Sequence, residues 1–423
     1  MLFHIPQIKY SDVFVPGGLP TYTYNPRESR QLERLIQEST SNFKLLVVTG
    51  PTKSGKTVLV NKVFPRNENL WIDGGAIGKE ENFWELIVSE LGGYTEEQIT
   101  NGEDMQFTIA GVTEAEGNIL LAKVNAGLSG TAGTTEKTEY LQRRSMSNKA
   151  KAISLLQETK VPLIIDDFHY IPKSVQKLIV RALKAPIMYG VPVICIAIPS
   201  RKFDVIDVER ELTGRMDSVE MPVWDVEELA LIARNGFTTL NITISEETIR
   251  YLAGEAFGSP FLMQDFCRSI CRQHSIENKQ SSKTILDISI ENANRIFPDI
   301  ANNSGRSMFD KLKRGPRSRT DRKPRRMKNG EILDIYGVVM EALKHLKPGV
   351  ETITYDMLRA NIREVLSDEL PQHGEIARVL EKIAEISYTD TSSTPVIDWQ
   401  KDDDILTITD PFFAFYLRWS TNY

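Results

Sequence analysis

The sequence Gly50-Pro51-Thr52-Lys53-Ser54-Gly55-Lys56-Thr57 fits the pattern G-x-x-x-x-G-K-[ST] at every position. An apolar run, 44–49, precedes it, and a segment that can continue as a helix, 58–63, follows it. Strand, loop and helix in this order are the context that a phosphate-binding loop requires. Its glycines allow a tight turn in which successive N–H groups point at a phosphate. A surface turn rich in Gly, Ser and Lys would not need these flanking segments.

The loop residues have distinct expected roles. Lys56 is predicted to reach the β- and γ-phosphates of a nucleotide and to act in catalysis, and the Thr57 hydroxyl to bind Mg²⁺. The positive end of the following helix adds to the attraction for the anion. The residues expected to contact ATP or ADP in and beside the loop are Gly50, Pro51, Thr52, Lys53, Ser54, Gly55, Lys56, Thr57 and Val58.

A second motif, Val161-Pro162-Leu163-Ile164-Ile165-Asp166-Asp167, ends in two acids. The apolar residues predict a buried parallel strand, and ligands of open α/β sheets bind at the C-terminal ends of such strands. We therefore expect Asp166 to hold Mg²⁺ through water and Asp167 to polarise the attacking water. His169 follows, and we interpret it as a turn histidine, with a contact to phosphate or to a neighbouring subunit as the alternative.

Further candidates follow the next apolar run, 191–198, which predicts another buried strand. Ser200, just beyond it, is placed where a sensor of the γ-phosphate would lie. Arg201 stands beside Ser200, and Arg210 and Arg215 are the candidates for an arginine finger, which stabilises charge on the transferring phosphoryl group. We favour Arg215, and surface ion pairs are the alternative for these side chains.

The composition is that of a globular protein, with 41% hydrophobic and 26% charged residues among 423. The net charge of −6 does not suit a general polyanion binder. No apolar run approaches the roughly 18 residues that span a bilayer, so no membrane segment is expected. Residues 1–10 lack the basic and apolar regions of a secretion signal. Cys267 and Cys271 form a poor zinc site, Cys195 is expected to be a buried small hydrophobe, and the three together fit a reducing, cytoplasmic setting.

Two segments lie outside these motifs. Residues 1–26 are rich in Pro, Gly and Tyr and predict an extended lead-in. From it Tyr22, Tyr24 and Pro26 are candidates to pack against the adenine, with a packed surface strap as an equal alternative. Residues 102–135 predict a β-hairpin insertion with a flexible end. The insertion could be an oligomer contact, a partner-binding arm or a mobile lid, or it could have no special role.

Beyond the core, residues 225–300 show a helical pattern with a break at Gly258-Ser259-Pro260, which suits a small lid over the nucleotide. Residues 301–330 predict a basic, flexible linker, because eleven lysines and arginines stand against two aspartates between Arg306 and Lys328. Contact with nucleic acid or with an acidic protein surface is equally open. The lack of interleaved aromatic residues favours phosphate or carboxylate contact over base stacking.

Residues 331–423 are predicted to form a winged helix-turn-helix, because three helical patterns precede a β-hairpin pattern over 395–408. The wing tip, 401–404, is acidic, and the third helix would expose both signs of charge, which favours contact with protein over DNA. The aromatic segment 410–419 predicts a helix that packs back on this domain. The residues expected on the exposed face of the third helix are Glu375, Arg378, Glu381, Lys382 and Glu385.

Together these features resemble the STAND branch of P-loop ATPases, close to the AAA+ group, and in particular the prokaryotic and archaeal ATPases that end in a winged helix. The Glu211–Trp224 stretch also resembles bacterial transposition-helper ATPases. The other matching pieces are Arg27-Glu28, the loop 50–57, Ile164-Ile165-Asp166-Asp167, Gly258-Ser259-Pro260 and Ile408-Thr409-Asp410-Pro411-Phe412-Phe413.

The resemblance implies an α/β fold with five parallel strands in the order 5-1-4-3-2. It places the ATPase core at 27–224, followed by the helical lid and a C-terminal winged helix-turn-helix. It further implies ATP or ADP and Mg²⁺ as ligands. A closed state held by ADP would alternate with an open, ATP-bound state that is often oligomeric.

Several functions follow. The first is a slowly hydrolysing ATPase that acts as a switch, changing conformation or forming homo-oligomers to license a separately encoded effector, with bacterial anti-phage defence as a setting by analogy. Asp167 in place of the glutamate of hydrolytic relatives predicts slow turnover. The second is an ATP-dependent DNA-binding factor, an initiator or transposition helper, which the winged helix and residues 306–328 motivate. The third is a nucleotide-binding scaffold that never hydrolyses.

Overall fold

The computed structural model describes residues 7–92, 147–198, 214–317, 321–349, 351–390 and 395–420. They divide into two compact units, which we call the core unit and the helical unit. The core unit comprises Pro26–Gly50 and Lys56–Met221. The helical unit comprises Met1–Asn25, Pro51–Gly55 and Pro222–Tyr423. The predicted hairpin insertion at 102–135 lies outside the described residues.

Five parallel strands form the sheet of the core unit. Their spatial order is β2-β3-β4-β1-β5, which is the predicted order 5-1-4-3-2 read from the other edge. Every residue of β1, β3 and β4 is buried, as expected for central strands covered on both faces. The strands are β1 Leu45–Thr49, β2 Leu70–Asp73, β3 Leu163–Asp166, β4 Val193–Ala197 and β5 Met216–Glu220.

Helices cover both faces of this sheet. Leu45 and Val47 of β1 belong to one apolar cluster, and the alternating Leu46 and Val48 belong to another. This alternation follows from the two-residue repeat of a strand, and it creates one core on each face. The helices of the core unit are α1 Leu32–Thr40, α2 Lys56–Val63, α3 Glu80–Glu90, α4 Asn148–Thr159 and α5 Lys173–Met188.

The helical unit begins with a single helical turn, Tyr10–Val13. The predicted break between its second and third long helices is confirmed: Gly258 has a φ of +72°, and the Ser259 hydroxyl accepts a hydrogen bond from the N–H of Leu262. A parallel pair of strands, β6 Ile242–Thr243 and β7 Thr284–Ile285, accompanies these helices. The helices are α6 Val226–Thr239, α7 Glu246–Glu255, α8 Pro260–Gln273, α9 Ile290–Asn294 and α10 Phe297–Arg314.

The basic segment is more ordered than the flexible linker that we predicted. Helix α10 continues to Arg314, and residues beyond it form a short antiparallel pair, β8 Arg325–Arg326 and β9 Ile332–Leu333. Phe309 and Leu312 are buried on one side of α10, so the apolar spacing of a helix outweighs the basic composition.

The elements between Ile335 and Ile408 have the order helix, strand, helix, helix, strand, strand. The three strands form an antiparallel sheet in the order β10-β12-β11. The helices and hairpin expected here are therefore present. They are α11 Ile335–Leu346, β10 Thr352–Thr354, α12 Tyr355–Val365, α13 His373–Asp390, β11 Ile397–Gln400 and β12 Ile405–Ile408.

The aromatic terminal helix, α14 Pro411–Trp419, joins two hydrophobic cores of the helical unit. Phe412 and Phe415 belong to the core of the preceding helices α6 to α10. Phe413 and Tyr416 belong to the core formed with α11 to α13. The sequence predicted only the second of these contacts. Among the described residues, no helix is long and apolar enough to cross a membrane.

Candidate nucleotide-binding site

Thr57 and Asp166 meet at the C-terminal edge of the core sheet. Thr57 is in the first turn of α2, and Asp166 is the last residue of β3. The Thr57 hydroxyl donates to Asp166 Oδ1 at 3.1 Å. A hydroxyl and a carboxylate are hard oxygen donors of the kind that Mg²⁺ prefers, so these two side chains fit the metal role predicted for them.

Lys56 lies within the loop itself. It is buried, and its Nζ donates to the backbone oxygen of Gly50 at 2.9 Å. Burial lowers the pKa of Lys56 to about 8, while the nearby Asp167 and Asp166 carboxylates favour its charged form. The ammonium is therefore still mainly charged at pH 7, and it is held among the atoms of the loop, where it could meet a phosphate.

Asp167 begins the short 3-10 turn Phe168–Tyr170 in a left-handed backbone conformation, with a φ of +49°. Its N–H donates to Asp166 Oδ1 at 3.0 Å. Burial, with the negative charges of Asp166 and Asp73, raises the pKa of Asp167 to about 6. A carboxylate with a raised pKa at this edge is suited to accept a proton from water.

Two residues at this edge were missed by sequence reasoning. Asp73 ends β2 and is paired in register with Asp166, which gives the site a third carboxylate. Its position at the end of an apolar strand was a signal that could have been used, because it is the same signal that identified Asp166. Arg66 donates from Nη2 to Asp166 Oδ2 at 3.3 Å, and no spacing rule points to it.

The middle of the loop packs within the helical unit. The indole N–H of Trp224 donates to the backbone oxygen of Ser54 at 2.8 Å. The Lys53 ammonium lies 3.7 Å from the ring centroid of Phe412 and 5.1 Å from that of Phe261. Both distances are in the range of cation–π interactions. Lys53 and Gly55 have φ angles of +58° and +92°, as a tight turn requires.

Several solved structures are similar to this chain. The Walker-type ATPase PABY2304 of Pyrococcus abyssi covers 93% of this chain and 96% of its own, with a TM-score of 0.52 and 14% identity. Cdc6p from Pyrobaculum aerophilum covers 96% of both chains, with a TM-score of 0.41 and 11% identity. The STAND protein PH0952 of Pyrococcus horikoshii covers 92% of this chain and 42% of its own, with a TM-score of 0.35 and 15% identity. No protein-family profile and no curated protein matches the sequence.

Three observations indicate the same fold: the strand order, the loop between β1 and α2, and the likeness to the Walker-type ATPase. The core unit has the P-loop NTPase fold. At these identities the likeness establishes the fold alone, and the case for activity must be made from the residues of the site.

The register of the core strands places Arg215 away from this site within one chain. Strands β1 and β5 pair in register from Leu45 with Met216 to Thr49 with Glu220. Arg215 precedes β5, and its backbone oxygen accepts from the N–H of Leu45, at the start of the strands. The phosphate-binding loop follows the other end, one strand length or about 16 Å away. An arginine finger at this position would have to act on the nucleotide of a neighbouring subunit.

The other residues predicted for the site lie partly within and partly outside the described residues. Ser200, Arg201 and Arg210 lie outside the described residues, so their roles stay predictions. Val58 is half-buried in the first turn of α2, next to Thr57. His169 lies in the 3-10 turn after Asp167, with its ring centroid 4.4 Å from that of Tyr170, in agreement with a turn position.

The lead-in is anchored to the helical unit. Thr23 is buried and donates to the backbone oxygen of Val13 at 3.1 Å. The side-chain amide of Asn25 donates to the backbone oxygen of Glu228 at 2.9 Å. These contacts describe a packed strap, and an adenine contact from Tyr22, Tyr24 or Pro26 stays a prediction.

Proposed function

We propose that this protein is a Mg-ATP-binding molecular switch that hydrolyses ATP slowly. The complete loop sequence, the buried Lys56 and the paired oxygens of Thr57 and Asp166 support nucleotide and metal binding. When bound, Mg²⁺ would neutralise phosphate charge, and Thr57 and Asp166 would hold it. Asp167 would orient the attacking water and accept its proton.

Slow hydrolysis is proposed from the character of Asp167. Its side chain is one methylene shorter than the glutamate that hydrolytic relatives usually carry, so it reaches less far towards a water. A misplacement of about 1 Å can cost two orders of magnitude in rate. The chemistry would then serve chiefly to reset the switch.

One observation favours a switch over a simple ATPase. The side chain of Lys53, inside the phosphate-binding loop, contacts the terminal helix α14. Its ammonium lies over Phe412, and Asp410, which caps α14 by accepting from the N–H of Phe413 at 2.7 Å, attracts the same charge. A phosphate in the loop would compete for this ammonium. The nucleotide would thus alter the contacts that hold the first turn of α14.

This coupling is tested with Lys53→Met, which keeps the alkyl stem and removes the charge. In the wild-type protein we expect hydrogen exchange across residues 411–419 to differ between ADP and a non-hydrolysable ATP analogue. In Lys53→Met we expect this difference to shrink by about tenfold, since a cation–π contact contributes ~1–2 kcal/mol. ADP affinity should fall by no more than about tenfold, because one charge is lost while the backbone N–H groups of the loop remain.

Lys177→Met is the matched control, because Lys177 is exposed on α5 of the core unit. It should leave the exchange difference at its wild-type value. If wild-type residues 411–419 exchange equally with ADP and with the ATP analogue, the switch is contradicted. If the difference persists fully in Lys53→Met, the nucleotide is sensed elsewhere.

For the output, we propose that α11 to α13 with β10 to β12 act as a winged helix that contacts protein. Four ion pairs among the described residues join basic side chains of the 306–328 segment to acids beyond residue 328, which lowers the charge available to a polyanion. An ATP-dependent DNA-binding factor is therefore the second candidate. The pairs are Lys313 with Glu341, Arg322 with Asp334, Arg325 with Glu375 and Lys328 with Glu364.

The two candidate functions predict different binding partners in solution. The switch predicts a higher mass in solution with the ATP analogue than with ADP, with Arg215 of one subunit serving the next. Added duplex DNA should leave that mass unchanged at low salt. Tight, salt-sensitive duplex binding would instead support the DNA-binding factor. The effector, and a role in anti-phage defence, are suggested by the family resemblance and are tested only after assembly is known.

A further inference from the structure

Arg66 lies in the loop between α2 and β2 and reaches the acid proposed to hold the metal. Its Nη2 is 3.3 Å from Asp166 Oδ2. The other oxygen of this carboxylate, Oδ1, accepts from the Thr57 hydroxyl and from the N–H of Asp167. Arg66 is thus the partner of the carboxylate oxygen that those two groups leave, and a cation bound by this oxygen would compete with it.

The arginine is held in place from both ends. Its backbone N–H donates to Asn61 Oδ1 at 3.2 Å, and its guanidinium lies 4.4 Å from the ring centroid of Trp71. The Trp71 indole N–H in turn donates to the backbone oxygen of Phe64 at 3.0 Å, which fixes the ring. A planar guanidinium stacked on an immobilised aromatic ring loses little further entropy when it pairs with a carboxylate. The ion pair between Arg66 and Asp166 is therefore preorganised, unlike an ion pair between two mobile surface side chains.

The burial of Asp166 makes its ion pair with Arg66 important. The Asp166 side chain is 12% exposed, whereas that of Arg66 is 52% exposed. A carboxylate this deeply buried needs a compensating charge, and Asp73 and Asp167 add further negative charge around it. The exposed arginine can leave without being buried elsewhere, so it can give way to a second cation at modest cost.

We propose that Arg66 is a positioning residue that holds Asp166 Oδ2 in the metal-free protein and yields it on metal binding. It would thereby set the Mg²⁺ concentration at which the site fills. The inference rests on the proposed binding of Mg-nucleotide at Thr57 and Asp166. It goes beyond that function by assigning to this chain a built-in competitor of the metal.

The test is a Mg²⁺ titration of the binding of a fluorescent ADP derivative to the full chain, for wild type, Arg66→Gln and Arg66→Lys. We expect Arg66→Gln to lower the half-saturating Mg²⁺ concentration by about two- to fivefold, the range for a partly exposed ion pair. Arg66→Lys, which keeps the charge but loses the planar stack, should fall between the two. In EDTA without nucleotide, Arg66→Gln should melt about 2–4 °C below wild type, because Asp166 loses its counter-charge.

Arg34→Gln is the matched control, since Arg34 pairs with Glu38 on the exposed side of α1 in the same unit. It should change neither the Mg²⁺ midpoint nor the melting temperature in EDTA. An unchanged midpoint in Arg66→Gln overturns the proposal. A higher midpoint also overturns it, and would assign Arg66 to the nucleotide phosphates. If wild type binds no nucleotide at any Mg²⁺ concentration, it is the proposed function that fails.

Discussion

Replacing Lys56 with methionine should weaken ADP and ATP binding at least about a hundredfold, equivalent to ~3 kcal/mol, because charge-assisted hydrogen bonds to phosphate are lost. The structure supplies the reason for so large an effect. Lys56 is buried in the loop, and its ammonium is held by the Gly50 oxygen at 2.9 Å, so it needs little rearrangement to meet a phosphate. Isothermal titration at pH 7, below the pKa of about 8, measures the affinity with the wild-type side chain charged.

Lys56→Met also distinguishes an effect on nucleotide binding from an effect on folding. The pKa of Lys56 in the folded chain lies below its ordinary value of 10.5, so the charged ammonium opposes folding at pH 7, and this opposition declines as the pH rises from about 8 to 10.5. Lys56→Met should therefore melt at or above the wild-type temperature without nucleotide, and should lose the rise in melting temperature that ADP gives wild type. Lys177→Met, exposed on α5, should behave as wild type. Full ADP stabilisation of Lys56→Met would contradict the assignment of the loop.

Replacing Gly74 with alanine should lower the ATP hydrolysis rate at saturating Mg-ATP by about a hundredfold, the cost of misplacing a catalytic group by about 1 Å. A Cβ at this position would lie 2.4 Å from the backbone oxygen of Asp167 and 3.0 Å from that of Asp166. These are backbone atoms, which cannot swing aside as the end of a flexible side chain can. The 166–167 segment must therefore shift, and with it the carboxylate proposed to act on water.

Gly78→Ala is the control, because a Cβ there would meet nothing within 4 Å. It should hydrolyse ATP at the wild-type rate. Circular dichroism melting of Gly74→Ala shows whether the fold survives, since overpacking of this kind costs about 1–3 kcal/mol. A folded Gly74→Ala protein with a hydrolysis rate within twofold of wild type would show that the position of Asp167 does not govern the reaction.

Several elements could be predicted because their signals are local. The loop 50–57 and the acids after β3 each consist of consecutive residues, and the strands on either side show themselves as short apolar runs. Once the family resemblance supplies a topology, these runs give the strand order that the structure has. The break at Gly258 and the cap at Ser259 are local for the same reason.

Other interpretations required knowledge of distant neighbours. The role of Arg215 as a finger stays a prediction, and only the parallel register of β1 and β5 shows that it lies at the opposite end of the sheet from the loop of its own chain. The basic segment suggested a flexible linker, yet Phe309 and Leu312 are buried and acids that follow in the chain pair with its arginines. Composition records charge, but it does not record which charges become neighbours.

The sequence by itself determined the phosphate-binding loop, the two acids after β3 and the alternation of strands and helices, because each depends on residues adjacent in the chain. Only the tertiary structure decided that Asp73 and Arg66 join Asp166, and that Lys53 lies over Phe412. Lys53 and Phe412 are separated by more than 300 residues, and no local pattern encodes their contact. Packing of the apolar faces brings such residues together, and their side-chain chemistry then determines what the site can do.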